Sequence, residues 1–106
     1  MDLLFSKGKS YHATPIKLMC LLHEEPTAYP ALVMFVVPKR AFKKAHDRNR
    51  LKRRMREVYR LHKNELYTAM GTKKAWLAFI YTGTQDEAYA TIEVAMQKAL
   101  GKFLKV

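Results

Sequence analysis

Hydrophobic residues recur along this chain with two different spacings, and these spacings divide it into predicted helices and strands. From residue 48 to residue 70 the apolar positions recur every three or four residues, the period of one face of an α-helix. They are Leu51, Met55, Val58, Tyr59, His62, Leu66 and Met70, with His62 at the edge of the stripe. A second run of this kind begins near Asp86 and contains Ile92, Met96, Ala99, Leu100, Phe103 and Leu104. Both runs predict helices packed against a core on one side.

Three shorter apolar runs predict strands. Residues 16–22 form a continuous apolar run apart from Lys17, residues 31–37 are rich in Val and Phe, and residues 75–81 contain β-branched and aromatic side chains. The chain also has room for a short extra strand near residues 10–12. We predict that the first two long strands pair antiparallel, and that Pro38 ends the second because proline cannot donate to a sheet ladder. A helix connects the second long strand to the third, so these two would be parallel if they are neighbours.

The ends of the predicted helices carry recognisable signals. Residues 1–9 read as a short helix, or the last turns of one, stopped by Gly8. Asp47 is expected to cap the basic helix and Gly71 to end it. Asp86 and Glu87 are expected in the first turn of the last helix, where its dipole favours acids. The order helix, strand, strand, helix, strand, helix predicts an α+β fold, with residues 1–106 forming a single domain.

The positive charge of the chain is concentrated in one segment. The 106 residues carry a formal net charge of +11. Residues 39–63 contain twelve of the 20 Lys and Arg and two of the nine Asp and Glu, so this segment alone carries +10. The remainder is close to neutral. Charge placed in this way predicts a docked polyanion rather than a general gain in solubility.

The other chemistry-bearing residues do not form a pattern typical of a protein active site. The nine acids are scattered, the four histidines lack metal-ligand spacing, and the four glycines are isolated, so no phosphate-binding loop is indicated. We therefore predict no catalytic residue and no metal ligand on this chain.

Cys20 is the single cysteine, which excludes an intrachain disulfide. Its apolar surroundings in sequence predict a buried structural thiol. No apolar run approaches the roughly 20 residues of a membrane span, and no secretory signal is visible. We expect a cytoplasmic protein with no membrane partner.

The predicted basic helix carries Arg48, Arg50, Lys52, Arg53 and Arg56 on the positions that its apolar stripe leaves open. An arginine presents a planar fork that matches phosphate oxygens and stacks on bases. If about six phosphates are bound, log K should fall with log[salt] with a slope of about −4 to −5. A structural RNA-binding protein such as a ribosomal component, or a DNA-binding module with residues 48–60 as its recognition helix, would carry a helix of this kind as well.

The residues of this helix resemble the signature of the bacterial ribonuclease P protein subunit, Arg-Asn-Arg-x-Lys-Arg-x-x-Arg-Glu, which is matched in full by residues 48–57. Phe5-x-x-Gly8-Lys9-Ser10-Tyr11 is similar to the end of the family's first helix and the turn after it. Val36-Val37-Pro38-Lys39-Arg40 stands where the family has Ser-Val-Ser-Lys-Lys. The resemblance covers essentially the whole chain.

This resemblance implies a fold like the second domain of ribosomal protein S5, with the basic helix in a left-handed βαβ crossover. It implies an RNA-binding subunit that assists a catalytic RNA in the Mg²⁺-dependent, endonucleolytic removal of the 5′ leader from precursor tRNA. The Mg²⁺ would be bound mainly by the RNA. The protein would be a monomer within a 1:1 ribonucleoprotein, and DNA is not an expected partner.

The resemblance also implies two sets of RNA-binding residues. The catalytic RNA would be contacted by Arg48, Asn49, Arg50, Lys52, Arg53 and Arg56. The single-stranded leader would lie in a cleft between the first helix and the sheet, where it would meet Phe5, Tyr11, Lys39 and Arg40. The two aromatic rings would stack on bases, and the two cations would meet phosphates.

Overall fold

A mixed sheet backed by two helices forms the part of the chain that the computed structural model describes, which comprises residues 8–23, 31–71, 73–83 and 87–104. Its strands are β1 (Lys9–Ala13), β2 (Ile16–His23), β3 (Ala31–Val36) and β4 (Lys74–Tyr81), and its helices are α1 (Ala45–Met70) and α2 (Tyr89–Leu104). The predicted α+β class is confirmed, as are the three long strands and the extra strand near residues 10–12.

The strands lie in the order β1-β2-β4-β3. β2 pairs antiparallel with β1 and, along its whole length, with β4, whereas β3 pairs in parallel with β4. The predicted antiparallel pairing of the first two long strands is therefore wrong, because β4 lies between them. β4 is apolar on both faces and suits a central place, and α1 supplies the long connection that parallel strands need. The parallel relation of β3 and β4 is confirmed.

Alternate residues of the strands face opposite sides of the sheet. On one side the row Leu18, Phe79 and Phe35 meets both helices, and the main core forms there. On the other side Met19 and Ala78 form a smaller apolar cluster. In the described ranges both helices pack on the first side, so we call the second side the open sheet face.

The buried stripe of α1 follows the predicted period. Leu51, Met55 and Val58 are at most 1% exposed, and Leu66 and Met70 continue the stripe. Gly71 ends the helix with φ 62°, a conformation that favours glycine, and its N–H bonds the carbonyl of Tyr67.

The start of α1 differs from the prediction. Lys44, in an extended conformation, occupies the N-cap position without a side-chain cap, so Asp47 lies inside the first turn instead of capping it. There its carboxylate still benefits from the helix dipole, and Oδ1 lies 3.0 Å from Nη2 of Arg50.

The other predicted helix ends lie partly outside the described residues. Lys9, beyond the predicted stop at Gly8, belongs to β1, and the predicted first helix over residues 1–7 lies outside the described residues. Glu87 precedes α2, whose first turn contains no acid, while Asp86 lies outside the described residues. Leu104 is 38% exposed and does not belong to the core.

Candidate nucleic-acid interface

The side of α1 that faces away from the core is a cationic surface. Among the predicted RNA-binding residues of this helix, Asn49, Arg50, Arg53 and Arg56 are exposed, whereas Lys52 and Arg48 are half-buried. Arg60 extends the exposed side by one turn beyond Arg56. The apolar stripe leaves these positions outside because the helix turns by about 100° per residue. We call the exposed side of residues 49–60 the cationic arc.

Carboxylates neutralise part of the cationic arc. Asp47 pairs with Arg50 at 3.0 Å, and Glu57 binds Arg60 through both of its oxygens, including an Nε–Oε2 distance of 3.1 Å. The hydrogen bond from Arg60, together with its charge, lowers the pKa of the exposed Glu57 carboxyl. These i,i+3 pairs reduce repulsion along a helix that would otherwise crowd like charges.

Two arginines of the basic helix are bound to the chain's own backbone. Nη1 of Arg48 donates to the carbonyls of Phe42 at 2.7 Å and of Lys43 at 2.9 Å. Nη1 of Arg54 donates to the carbonyl of Glu87 at 2.7 Å, on the flank of α1 nearest α2. Sequence periodicity separates inner from outer positions, but it does not identify cations that fold back in this way.

Residues 39–44, which we call the basic linker, join β3 to α1. The carbonyl of Pro38 accepts hydrogen bonds from the N–H groups of Ala41 at 3.2 Å and Phe42 at 3.3 Å. The Phe42 ring is buried and meets Tyr81 edge-on, with ring centroids 5.7 Å apart. Four cations of the linker are exposed to solvent: Lys39, Arg40, Lys43 and Lys44.

Tyr11, Lys39 and Arg40 do not form one cluster. Tyr11 lies on edge strand β1, half-buried on the helix-covered side, with its ring 6.3 Å from that of Phe103. Lys39 and Arg40 follow β3, the opposite edge of the sheet. Three strand spacings, about 14 Å, separate the two edges. Phe5, the fourth residue predicted to meet the leader, lies outside the described residues.

The open sheet face carries an aromatic side chain that sequence reasoning did not select. Trp76 on β4 packs there beside Met34 and Ile80, around the cluster of Met19 and Ala78. Alternation along the strands places two lysines, Lys17 and Lys74, on the same face. β4 is apolar on both faces, so its sequence does not separate a core position from an open one.

Cys20 is buried on the helix-covered side, as predicted. It borders a cavity of about 240 Å³ that Tyr11, Met70 and Phe103 also line. Burial raises the pKa of its thiol to about 11, while the charge of Lys9 acts in the opposite direction. A thiol held neutral is a weak nucleophile, so the buried structural role fits this environment.

Sequence comparison identifies relatives of one kind. The family model described as Ribonuclease P matches residues 2–104. The ribonuclease P protein component of Porphyromonas gingivalis is 31% identical over 102 residues, covering 94% of this chain and 74% of that protein. The ribonuclease P protein component of Chlorobaculum tepidum is 42% identical over 69 residues, covering 59% of this chain and 45% of that protein.

Structural comparison leads to the same group of proteins. The RNase P protein of Staphylococcus aureus superposes with a TM-score of 0.78 at 18% identity, covering 96% of this chain and 86% of that one. The RNase P protein of Thermotoga maritima superposes with a TM-score of 0.74 at 22% identity, covering 95% of this chain and 88% of that one. At these identities the likeness is one of fold.

Proposed function

This chain belongs to the ribonuclease P protein family, and we propose from that premise how its surfaces serve the enzyme. It is the RNA-binding protein component of a tRNA-processing endoribonuclease whose catalytic centre lies on the RNA subunit. Its partner is the ribonuclease P RNA. A ribosomal role is not favoured, because the family model and the relatives described above are of ribonuclease P.

The cationic arc is the observation that carries the proposal for the catalytic RNA. Five signature residues lie outside the buried stripe of α1 and would contact the RNA: Asn49, Arg50, Lys52, Arg53 and Arg56. The sixth, Arg48, lies at the edge of this surface with part of its guanidinium bound to the chain. The cations of the arc would displace the counterions condensed on the RNA phosphates, which makes binding strongly dependent on salt.

A second surface is proposed to bind the substrate, through the 5′ leader of precursor tRNA. Lys39 and Arg40 would meet its phosphates, and Phe5 and Tyr11 would stack on its bases, as the family signature implies. We extend this path across the open sheet face, where Trp76 offers a further ring at half-burial. Stacking contributes about 1–3 kcal/mol per base and tolerates any sequence, which suits a subunit that serves many precursors.

The proposed holoenzyme contains one protein and one RNA, acts in the cytoplasm and uses Mg²⁺ held mainly by the RNA. Within the described residues no three side chains of His, Cys, Asp or Glu come together in a way that fits a metal ion. No helix there is long and apolar enough to cross a membrane.

Reconstitution tests the proposed function. The full chain is added to the cognate ribonuclease P RNA with precursor tRNA at low Mg²⁺, and a parallel reaction contains the RNA without protein. We expect the protein to restore cleavage at the mature 5′ end, and the Lys52/Arg53/Arg56→Ala variant to do so only at higher protein concentration. A folded wild-type protein without any effect on cleavage would refute the proposal. Co-sedimentation with ribosomal subunits would then be the next measurement.

A further inference from the structure

The basic linker must hold four cations beside a helix that is itself cationic. Lys39, Arg40, Lys43 and Lys44 are exposed, and α1 begins immediately after Lys44. Like charges at this density repel one another and favour an extended, mobile linker. A fixed arrangement therefore requires contacts that act on the linker backbone.

The first half of the linker has such contacts. The carbonyl of Pro38 accepts two backbone hydrogen bonds, and the buried ring of Phe42 attaches the linker to the core. The second half precedes a helix whose N-cap, Lys44, makes no side-chain capping bond. The usual way of ordering a helix start is thus not used at this position.

Arg48 supplies the contacts of the second half. Its Nη1 atom donates to the carbonyls of Phe42 and Lys43 at 2.7 and 2.9 Å. Its backbone N–H donates to the carbonyl of Lys44 at 3.3 Å, which is the first hydrogen bond of α1 and does not depend on the side chain. The guanidinium thus binds two consecutive carbonyls of the linker. The two side-chain bonds are short, as expected where the donor is charged. The dipole of α1 opposes a cation in its first turns, and the two carbonyls offset that cost.

We propose that Arg48 is a positioning residue. Its guanidinium fixes the end of the basic linker, so that Lys43 and Lys44 meet RNA phosphates in register with the cationic arc. This differs from the direct RNA contact that the family signature implies for Arg48. The proposal rests on the proposed function, because the RNA supplies the phosphates.

A double-mutant cycle tests this role. Affinity for the cognate ribonuclease P RNA is measured for Arg48→Ala in the wild-type chain and in a Lys43→Ala/Lys44→Ala chain. We expect a loss of roughly fivefold in the first and less than twofold in the second, because coupled residues are not additive. Arg53→Ala is the matched control and should weaken binding by the same factor in both chains. An equal loss for Arg48→Ala in both chains would overturn the proposal.

A second measurement uses the free protein and needs no RNA. Backbone ¹⁵N order parameters of Lys43 and Lys44 should fall from about 0.85 to below about 0.7 in Arg48→Ala and stay unchanged in Arg53→Ala. Unchanged order parameters in Arg48→Ala would refute the proposed role of Arg48 in fixing the linker. Arg48→Met, which keeps the aliphatic stem, replaces Arg48→Ala if the latter unfolds. If wild-type protein binds no RNA, the proposed function fails, and the order parameters still decide whether Arg48 orders the linker.

Discussion

Nη1 of Arg54 donates a 2.7 Å hydrogen bond to the backbone carbonyl of Glu87, 33 residues further along the chain. This bond joins α1 to the segment before α2, where the N–H of Glu87 also donates to the hydroxyl of Tyr81 at 3.2 Å. Arg54 lies in the most basic stretch of the sequence, next to the exposed Arg53. Adjacent arginines thus have different surroundings, and their replacement should have different effects.

Arg54→Ala should destabilise the fold and leave the salt dependence of RNA binding unchanged. A part-buried hydrogen bond from a charged donor stabilises by about 1–2 kcal/mol, and its loss leaves the Glu87 carbonyl without that donor. Arg53→Ala should change stability by no more than about 0.5 kcal/mol. Urea unfolding of both variants measures the difference. Equal stabilities would mean that the bond to Glu87 contributes nothing.

The cationic arc should determine the salt dependence of RNA binding. In Lys52/Arg53/Arg56→Ala, three proposed phosphate contacts are removed while the buried stripe is untouched. Each contact contributes about 0.7–0.9 to the slope of log K against log[salt], so the magnitude of the slope should fall by about 2–3. Filter binding to the cognate RNA at four or more salt concentrations measures it.

Two controls accompany the salt measurement. Lys98→Ala replaces an exposed lysine of α2, away from the arc, and should leave the slope unchanged. Circular dichroism should show the same helix content in the triple variant as in the wild type. An unchanged slope in the folded triple variant would show that the RNA binds another surface.

Much of this surface follows from local sequence patterns. The 3.6-residue period predicts the stripe through Leu51 and Met55, and the residues between them must then face outward. The direction of Arg48 and Arg54 does not follow, because each folds back to carbonyls that the fold supplies: a linker for Arg48 and a distant loop for Arg54. Side chains of this length can reach backbone carbonyls on other parts of the fold, and the spacing of residues in the sequence does not predict those carbonyls.

Local sequence patterns also do not predict the order of the strands in the sheet. β2 and β3 are neighbours in sequence, and neighbouring strands commonly form a hairpin. Here β4 inserts between them and pairs with β2 over eight residues, from Ile16 opposite Tyr81 to His23 opposite Lys74. This arrangement depends on long-range contacts of β4, whose one face is buried under the helices and whose other face carries the smaller cluster around Ala78. The start of α1 at Ala45 instead of after Asp47 has a similar origin, because the linker is fixed by tertiary contacts of Phe42.

The hydroxyl groups of Tyr59 and Tyr67 lie 3.1 Å apart, two turns from each other on α1. Burial, followed by the hydrogen bond to Tyr67, raises the pKa of Tyr59. Tyr67→Phe should cost about 1 kcal/mol, because it leaves the half-buried Tyr59 hydroxyl without this partner. The double variant Tyr59→Phe/Tyr67→Phe should cost less than the sum of the single variants. Additive costs in urea unfolding would argue that the two hydroxyls do not interact.

Cys20 should make the stability of the protein fall in alkaline solution. Burial raises the thiol pKa from 9.0 to about 11 in the folded state. Below pH 9 the thiol is protonated in both states and its neutral form is accommodated in the core. Between pH 9 and 11 the unfolded chain loses this proton first, so the stabilisation disappears as pH rises through that interval.

Cys20→Ala isolates this effect from the tyrosines and lysines that titrate in the same range. The difference in unfolding free energy between wild type and variant should be constant from pH 7 to about 8.5 and should then decrease toward pH 11. Urea unfolding at each pH measures it. A difference independent of pH would show that the thiol is not buried in the folded protein.

Trp76 is the single tryptophan of the chain, and its place on the open sheet face makes it a probe of the leader path. If a leader base stacks on the indole, precursor tRNA should quench its fluorescence in the holoenzyme, whereas mature tRNA, which lacks the leader, should not. Trp76→Leu keeps an apolar side chain but removes the stacking ring. It should weaken binding of precursor tRNA by roughly fivefold or more and leave mature tRNA unaffected.

The control for Trp76 lies on the other side of the sheet. Leu22 is 53% exposed and pairs with Ala75, which faces the helices, so Leu22→Ala removes exposed apolar area without touching the open sheet face. It should leave precursor binding unchanged. If Leu22→Ala weakens precursor binding and Trp76→Leu does not, the leader contacts the cavity beside Tyr11, which Leu22 also lines, and does not cross the open sheet face. That result would keep the proposed contact with Tyr11, at the edge formed by β1 and the end of α2, and would refute the extension of the path to Trp76.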